Sequence, residues 1–241
     1  MKRILRSPAV TGLLFLMALI LLLFGSVGGT RAALNLESSI YESQMNTTSI
    51  GVSIREGSET LASNNGPVSG VGVMKLSAGD MAARAGDDVF KIGKTYNLPL
   101  SVYNSGNIEE YVRVTIYKYW VTPAGTAEKT GWFSGSGTKD RTLKPELIVL
   151  KPAPGWTEDP DAHTAERSVY YYSGALTPGA SAQFLNTVKV DSKIVNEVKV
   201  GPDGKEVYTY DGMGFVLEIQ VDAVQTHNGN QARISSWGLY K

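Results

Sequence analysis

Cysteine is absent from all 241 residues. That excludes disulfide staples, a thiol nucleophile, thiolate metal sites and a lipid-modified cysteine. Stability has to come from an ordinary apolar core, which a chain of this size can supply. Histidine is nearly absent as well: His163 and His227 are the only two. The chain has no Gly-x-Ser-x-Gly, no His-Glu-x-x-His and no P-loop, so neither a familiar hydrolase nor a nucleotide enzyme is indicated. No cofactor is expected. The 23 basic residues balance 23 acidic ones without forming a basic tract. Nucleic acid is therefore not expected as a partner, because phosphate neutralisation needs clustered Lys and Arg. There is no internal repeat, and beyond Ala33 no segment keeps an apolar 3.6-residue period for three turns.

The one long uncharged run is Ala9 to Phe24, preceded by Lys2, Arg3 and Arg6. After it comes "GSVGGTRAAL", where Thr30 and Ala32 are small residues two apart, the pattern a signal peptidase reads. Cleavage is expected between Ala32 and Ala33. The rival reading is an uncleaved anchor, which needs about 20 apolar residues; the Gly-Gly-Thr-x-Ala exit favours cleavage. Residues 1–32 would then be a signal peptide, 33–47 an N-terminal segment and 48–241 the folded domain. Removing Lys2, Arg3, Arg6 and Arg31 would leave 19 basic against 23 acidic residues, a net charge of −4.

What remains alternates with period two. "FVLEIQVDAV" sets Phe215, Leu217, Ile219, Val221 and Ala223 against Glu218, Gln220 and Asp222. "YVRVTIYKYW" sets Val112, Val114 and Ile116 against Arg113, Thr115 and Tyr117. "NLPLSVYNSGN" and "AQFLNTVKV" read the same way, each a half-buried strand. "VGPDGKE" is a hairpin turn, with Pro202 at a corner and Gly204 free to take positive φ. "AGDMAARAGDD" reads as a loop with a turn of helix at most. Two interruptions, Thr122–Asp140 and Lys151–Glu166, read as surface excursions. Roughly nine strands separated by turn signals predict an all-β chain, a jelly-roll-like β-sandwich with long loop insertions.

Candidate sites are few. Glu158, Asp159, Asp161 and Glu166 could offer oxygens to calcium, but they lack the spaced Asp/Asn-Gly frame of a calcium loop. Asn46-Thr47-Thr48 matches a glycosylation sequon. Tyr117, Tyr119 and Trp120, with Tyr170 to Tyr172, could be a carbohydrate platform, though cross-strand packing explains them first. The C-terminal "VDAVQTHNGNQARISSWG" reads as a last strand, a turn and a tail folded back, with Trp237 an apolar plug and His227 structural. A secreted adhesin using the Trp132 and Trp156 loops is the alternative function.

The "GSVGGTRA" exit, the "LPLSVYNSGNIEEYVRVTIYKYW" block, "LTPGASAQFLNTVKV" and the C-terminal "VDAVQTHN…A…SWG" together resemble the TasA/camelysin group, exported biofilm-matrix fibre proteins of Gram-positive bacteria. The resemblance implies a jelly-roll subunit exported through a dedicated signal peptidase. It implies self-association into filaments, with related exported matrix proteins as further partners. No zinc-protease motif is present, so the protease activity described for camelysin is not implied. In "ALNLESSIY", Ala33 to Tyr41, the residues Leu34, Leu36 and Ile40 fall on one face at strand spacing. They are the candidate donor strand that would complete the sheet of the next subunit.

Overall fold

The structure, a computed structural model, describes residues 8–36, 48–65, 72–123 and 137–239. The chain divides into two units, Met1–Thr47 and Thr48–Lys241. In the first, helix α1 spans Pro8–Leu36.

The second unit is built on two long alternating strands, β5 (Glu110–Pro123) and β13 (Gly214–Gln225), which pair antiparallel from Gln225↔Glu110 to Gly214↔Val121. β3 (Gly72–Ser77) pairs with the outer side of β13, and β9 (Arg167–Tyr172) with the other side of β5. β8 (Trp156–Glu158) extends this sheet beyond β9, and β6 (Gly137–Asp140) pairs with the far end of β5. A second sheet has the order β2 (Glu59–Asn65), β1 (Gly51–Glu56), β4 (Tyr96–Asn104), β10 (Ser181–Val190), β7 (Ile148–Pro152). β11 (Val198–Val200) and β12 (Glu206–Tyr208) form a separate two-stranded ribbon. Every pairing among the described residues is antiparallel.

The alternation seen in the sequence decides which faces meet. Val112, Val114, Ile116 and Trp120 of β5 and Phe215, Leu217, Ile219 and Val221 of β13 are buried. They share one core with Val52 and Ile54 of β1 and Leu98, Leu100 and Val102 of β4. In β10, register shifts at Leu185 let Phe184, Leu185 and Val188 all reach that core. One end of it is aromatic. Trp120 meets Phe215 at 5.7 Å and Tyr210 at 4.7 Å, and Phe90 stacks on Tyr96 at 4.2 Å. The indole N–H of Trp120 donates to the Lys144 carbonyl at 2.9 Å, so its burial leaves no orphaned donor.

Several local expectations are corrected. Residues 78–84 form helix α2 (Ala78–Arg84), where at most one turn was expected. Ser77 and Asp80 close a reciprocal capping box at its start, with Ser77 N–H donating to the Asp80 carboxylate at 2.9 Å and Asp80 N–H to the Ser77 hydroxyl at 3.1 Å. The excursion Lys151–Glu166 contains β8, because Trp156 has an apolar partner to reach. The tail expected to fold back after the turn that follows β13 is helix α3 (Gly229–Trp237). The hairpin at Pro202 and Gly204 is as expected, with Gly204 at φ 78°.

Candidate functional site

In the first unit, the backbone of Thr30, Ala32, Ala33, Leu34 and Leu36 lies in α1. The helix therefore runs through the bond where cleavage is expected, and residues 33–36 are helical in the uncut chain. Ile40 lies outside the described residues, as do Asn46, Thr47 and Trp132. Over the described residues, no helix is long and apolar enough to cross a membrane.

The turn-rich segment after β8 brings together three residues that the sequence did not connect. Glu158, His163 and Ser168 are spaced five apart. The His163 Nδ1 lies 2.7 Å from Glu158 Oε1 and 3.4 Å from Ser168 Oγ. These are the residue types of a hydrolytic triad, wired differently. A relay needs the acid on one imidazole nitrogen and the nucleophile on the other; here both converge on Nδ1. Burial opposes ionisation of Glu158, but hydrogen bonds from Ser168 and His163 outweigh it and hold the carboxyl below its usual range. The arrangement is a carboxylate held by two donors, with no path for a proton from serine to a second base.

Of the candidate calcium residues, Glu158 is thus engaged with His163 and Ser168, and Glu166 accepts from Lys139 at 2.5 Å. Among the described residues no three acidic or histidine side chains stand close enough to hold a metal ion. Trp156 is not a free loop tryptophan. Its ring packs on Phe184 at 4.8 Å and Tyr172 at 5.2 Å, and its N–H donates to the Gln183 carbonyl at 2.8 Å.

The C-terminal stretch needs a correction. Trp237 is half-buried and does not enter the core. α3 lies over the outer face of β13, β5 and β9, where Asp222, Arg113 and Tyr171 respectively project. The Trp237 N–H donates to Asp222 Oδ1, its ring meets Tyr171 at 5.5 Å, and the Arg113 guanidinium stands 5.3 Å from its centre. Arg113 in turn gives Asp222 two hydrogen bonds of 3.1 Å. The chain reverses at Asn228, whose φ of 51° is left-handed. Gly229 follows, buried so tightly that a Cβ there would stand 2.4 Å from the Tyr111 ring. His227 is exposed beside this turn. The stretch is a strap over a polar sheet face.

One buried group had no forecast at all. Glu110 opens β5 on its core-facing side and is 0% exposed. Its Oε2 accepts from the Gly51 N–H at 3.4 Å, and its Oε1 has no partner among the described residues. Burial pushes the carboxyl up to about 8, against a smaller opposing effect from Gly51. The signal was in the sequence: Glu110 continues the series Val112, Val114, Ile116 backwards by two. Nearby, Asn104 is buried with its amide nitrogen donating to Ile108 O at 2.8 Å and Leu176 O at 2.7 Å.

No family model, curated protein or solved structure matches this chain.

Proposed function

We propose that the chain is an exported structural subunit of a cell-surface or biofilm-matrix fibre, of the TasA/camelysin type, polymerising by donor-strand exchange. The observation that carries this reading is the division of the chain. A β-rich second unit begins at Thr48, and ahead of it stands a separate unit containing the alternating Leu34, Leu36 and Ile40. A jelly-roll agrees with the chain's repeated crossing between the two sheets, β1 to β3 to β4 to β5, and then β9 to β10 to β13. Cleavage after Ala32 would free residues 33–47 from the apolar run that precedes them. The edge strands β2, β7, β3 and β8 leave backbone groups that an added strand can pair with. A head-to-tail contact of this kind does not close, and so yields filaments.

The test is assembly. The chain beginning at Ala33 should form filaments visible by electron microscopy. Deleting Ala33–Tyr41 should leave a folded monomer that forms none. Charged residues at Leu34 and Leu36 should act like the deletion, while Asn35→Asp should be tolerated. Filaments from the deleted chain would refute the donor-strand reading.

A further inference from the structure

The first residues of the second unit are sewn to a single turn. Ser49 N–H donates to the Asn107 side chain at 2.7 Å, and Asn107 N–H returns a bond to the Ser49 carbonyl at 3.1 Å. The Gly51 carbonyl accepts from Ser105 N–H at 2.8 Å and Gly106 N–H at 3.0 Å. The Gly51 N–H is left for Glu110, the buried carboxyl at the end of the same turn. Gly106 presses close enough that a Cβ would stand 2.5 Å from the Ser49 carbonyl oxygen. At this joint Ser49 and Gly51, at the start of the second unit, are thus bonded to residues 105–110, while Gly51 also pairs with Asn65 across β1 and β2.

We propose that Glu110 is a proton-controlled latch on this joint: protonated and buried it keeps Ser49–Gly51 closed on the turn, and ionised it is drawn to water and releases them. The surroundings give the ionised form one weak support, the 3.4 Å bond from the Gly51 N–H, which burial outweighs. Gly51 faces it from β1, Gln225 stands opposite on β13, and Leu176 exchanges backbone bonds with Glu110 itself. The neighbouring Glu109 is exposed, and no charged group among the described residues acts on the carboxyl. A buried carboxylate with neither cation nor full hydrogen bonding is the costly form.

The sign follows from linkage. In the opened joint the carboxyl titrates near its usual 4.5; closed, it is raised to about 8. The closed state therefore binds the extra proton between those values. Its advantage is complete below about pH 4.5, declines by about tenfold per pH unit, and is gone above about 8. If the N-terminal segment is the assembly element proposed above, this latch also makes the donor's reach depend on pH; that part rests on the assembly reading.

Amide exchange on the full chain tests the latch without any filament. After correction for intrinsic exchange rates, opening at Gly51 should rise about tenfold per pH unit between about 5 and 8 and level off beyond. It should stay faster than exchange at Leu217 and Ile219 in the core. Glu110→Gln should remove the pH dependence. Should that variant fail to fold, carboxyl-carbon NMR titration of Glu110 in the unaltered chain reads the same property, with a midpoint near 8. A midpoint near 4.5, or exchange at Gly51 no faster than in the core, would overturn the proposal. A latch that opens as described while filament growth stays indifferent to pH and to Glu110→Gln would sustain the latch and refute its link to assembly.

Discussion

Trp120 and Trp237 stand on opposite faces of the same pair of strands. Trp120 points from β5 into the core, is 0% exposed, and touches Phe215 and Tyr210. Trp237 reaches the other face of β5 and β13 from α3 and rests on Arg113, Asp222 and Tyr171. Both rings satisfy their N–H. The difference lies in what would be left behind: removing Trp120 opens a hole that apolar neighbours cannot close, whereas removing Trp237 returns polar groups to water. Half-buried aromatics over charged residues act as fasteners, and fully buried ones as structure.

The sharpest break in that comparison is Trp120→Ala, expected to cost about 3–5 kcal/mol in urea unfolding, because transfer and cavity costs add. A loss under 1 kcal/mol would mean that the aromatic end of the core is loose. Next is Gly229→Ala. Its methyl group would strike the Tyr111 ring, displacing the start of α3 at a cost of about 1–3 kcal/mol. Tyr111→Ala in the same chain should recover part of that loss; additive effects would argue against the contact.

Trp237→Ala should cost about 1–2 kcal/mol, as expected for a partly covered ring. The loss should shrink when Asp222→Asn is also present, since the two residues share a hydrogen bond. Asp222→Asn alone should cost about 0.5–1 kcal/mol, and less at high salt, because the Arg113 pair is only partly shielded from water. The smallest effect belongs to His227→Ala, within about 0.5 kcal/mol for an exposed side chain beside a turn. A destabilisation above 1 kcal/mol would show that the turn before α3 depends on the imidazole.

The long strands were legible because their periodicity is enforced by a single buried face. β4 alternates throughout and β5 and β13 over part of their length, with Val121, Val216 and Val224 buried off that pattern; the sequence pattern placed Val112, Leu217 and their alternate neighbours correctly. The helices were not legible, for two different reasons. α2 lies among glycines and alanines that carry no apolar period; its only local signature was the Ser77–Asp80 box. α3 is rich in Asn, Gln and Ser, and it is held by Trp237 and Gly229 against a sheet that local propensity cannot see. Trp237 was misplaced for a related reason. A lone tryptophan in a polar stretch suggests a plug, and only the course of α3 shows that it meets the outer face. Ser168 and His163 were not joined to Glu158 because the turn between β8 and β9, not a motif, brings them together. Glu110 could have been found by carrying the strand alternation one step further, into a residue whose charge argued against burial.

The β11–β12 ribbon belongs to neither sheet, and it is rooted by buried Ile194 on one side and Tyr210 on the other. Its tip, Pro202 to Lys205, is exposed and is closed by Gly201 N–H bonding to the Lys205 carbonyl at 2.7 Å. Guest sequence placed between Asp203 and Gly204 would lengthen a surface loop whose closure entropy grows only by about 0.6 kcal/mol per doubling. Exposed loop tips of this kind accept insertions. The ribbon is thus a ready display point, where a peptide tag or fluorophore could ride on every copy of the chain while the sheets, the latch and the N-terminal segment keep their own sequence.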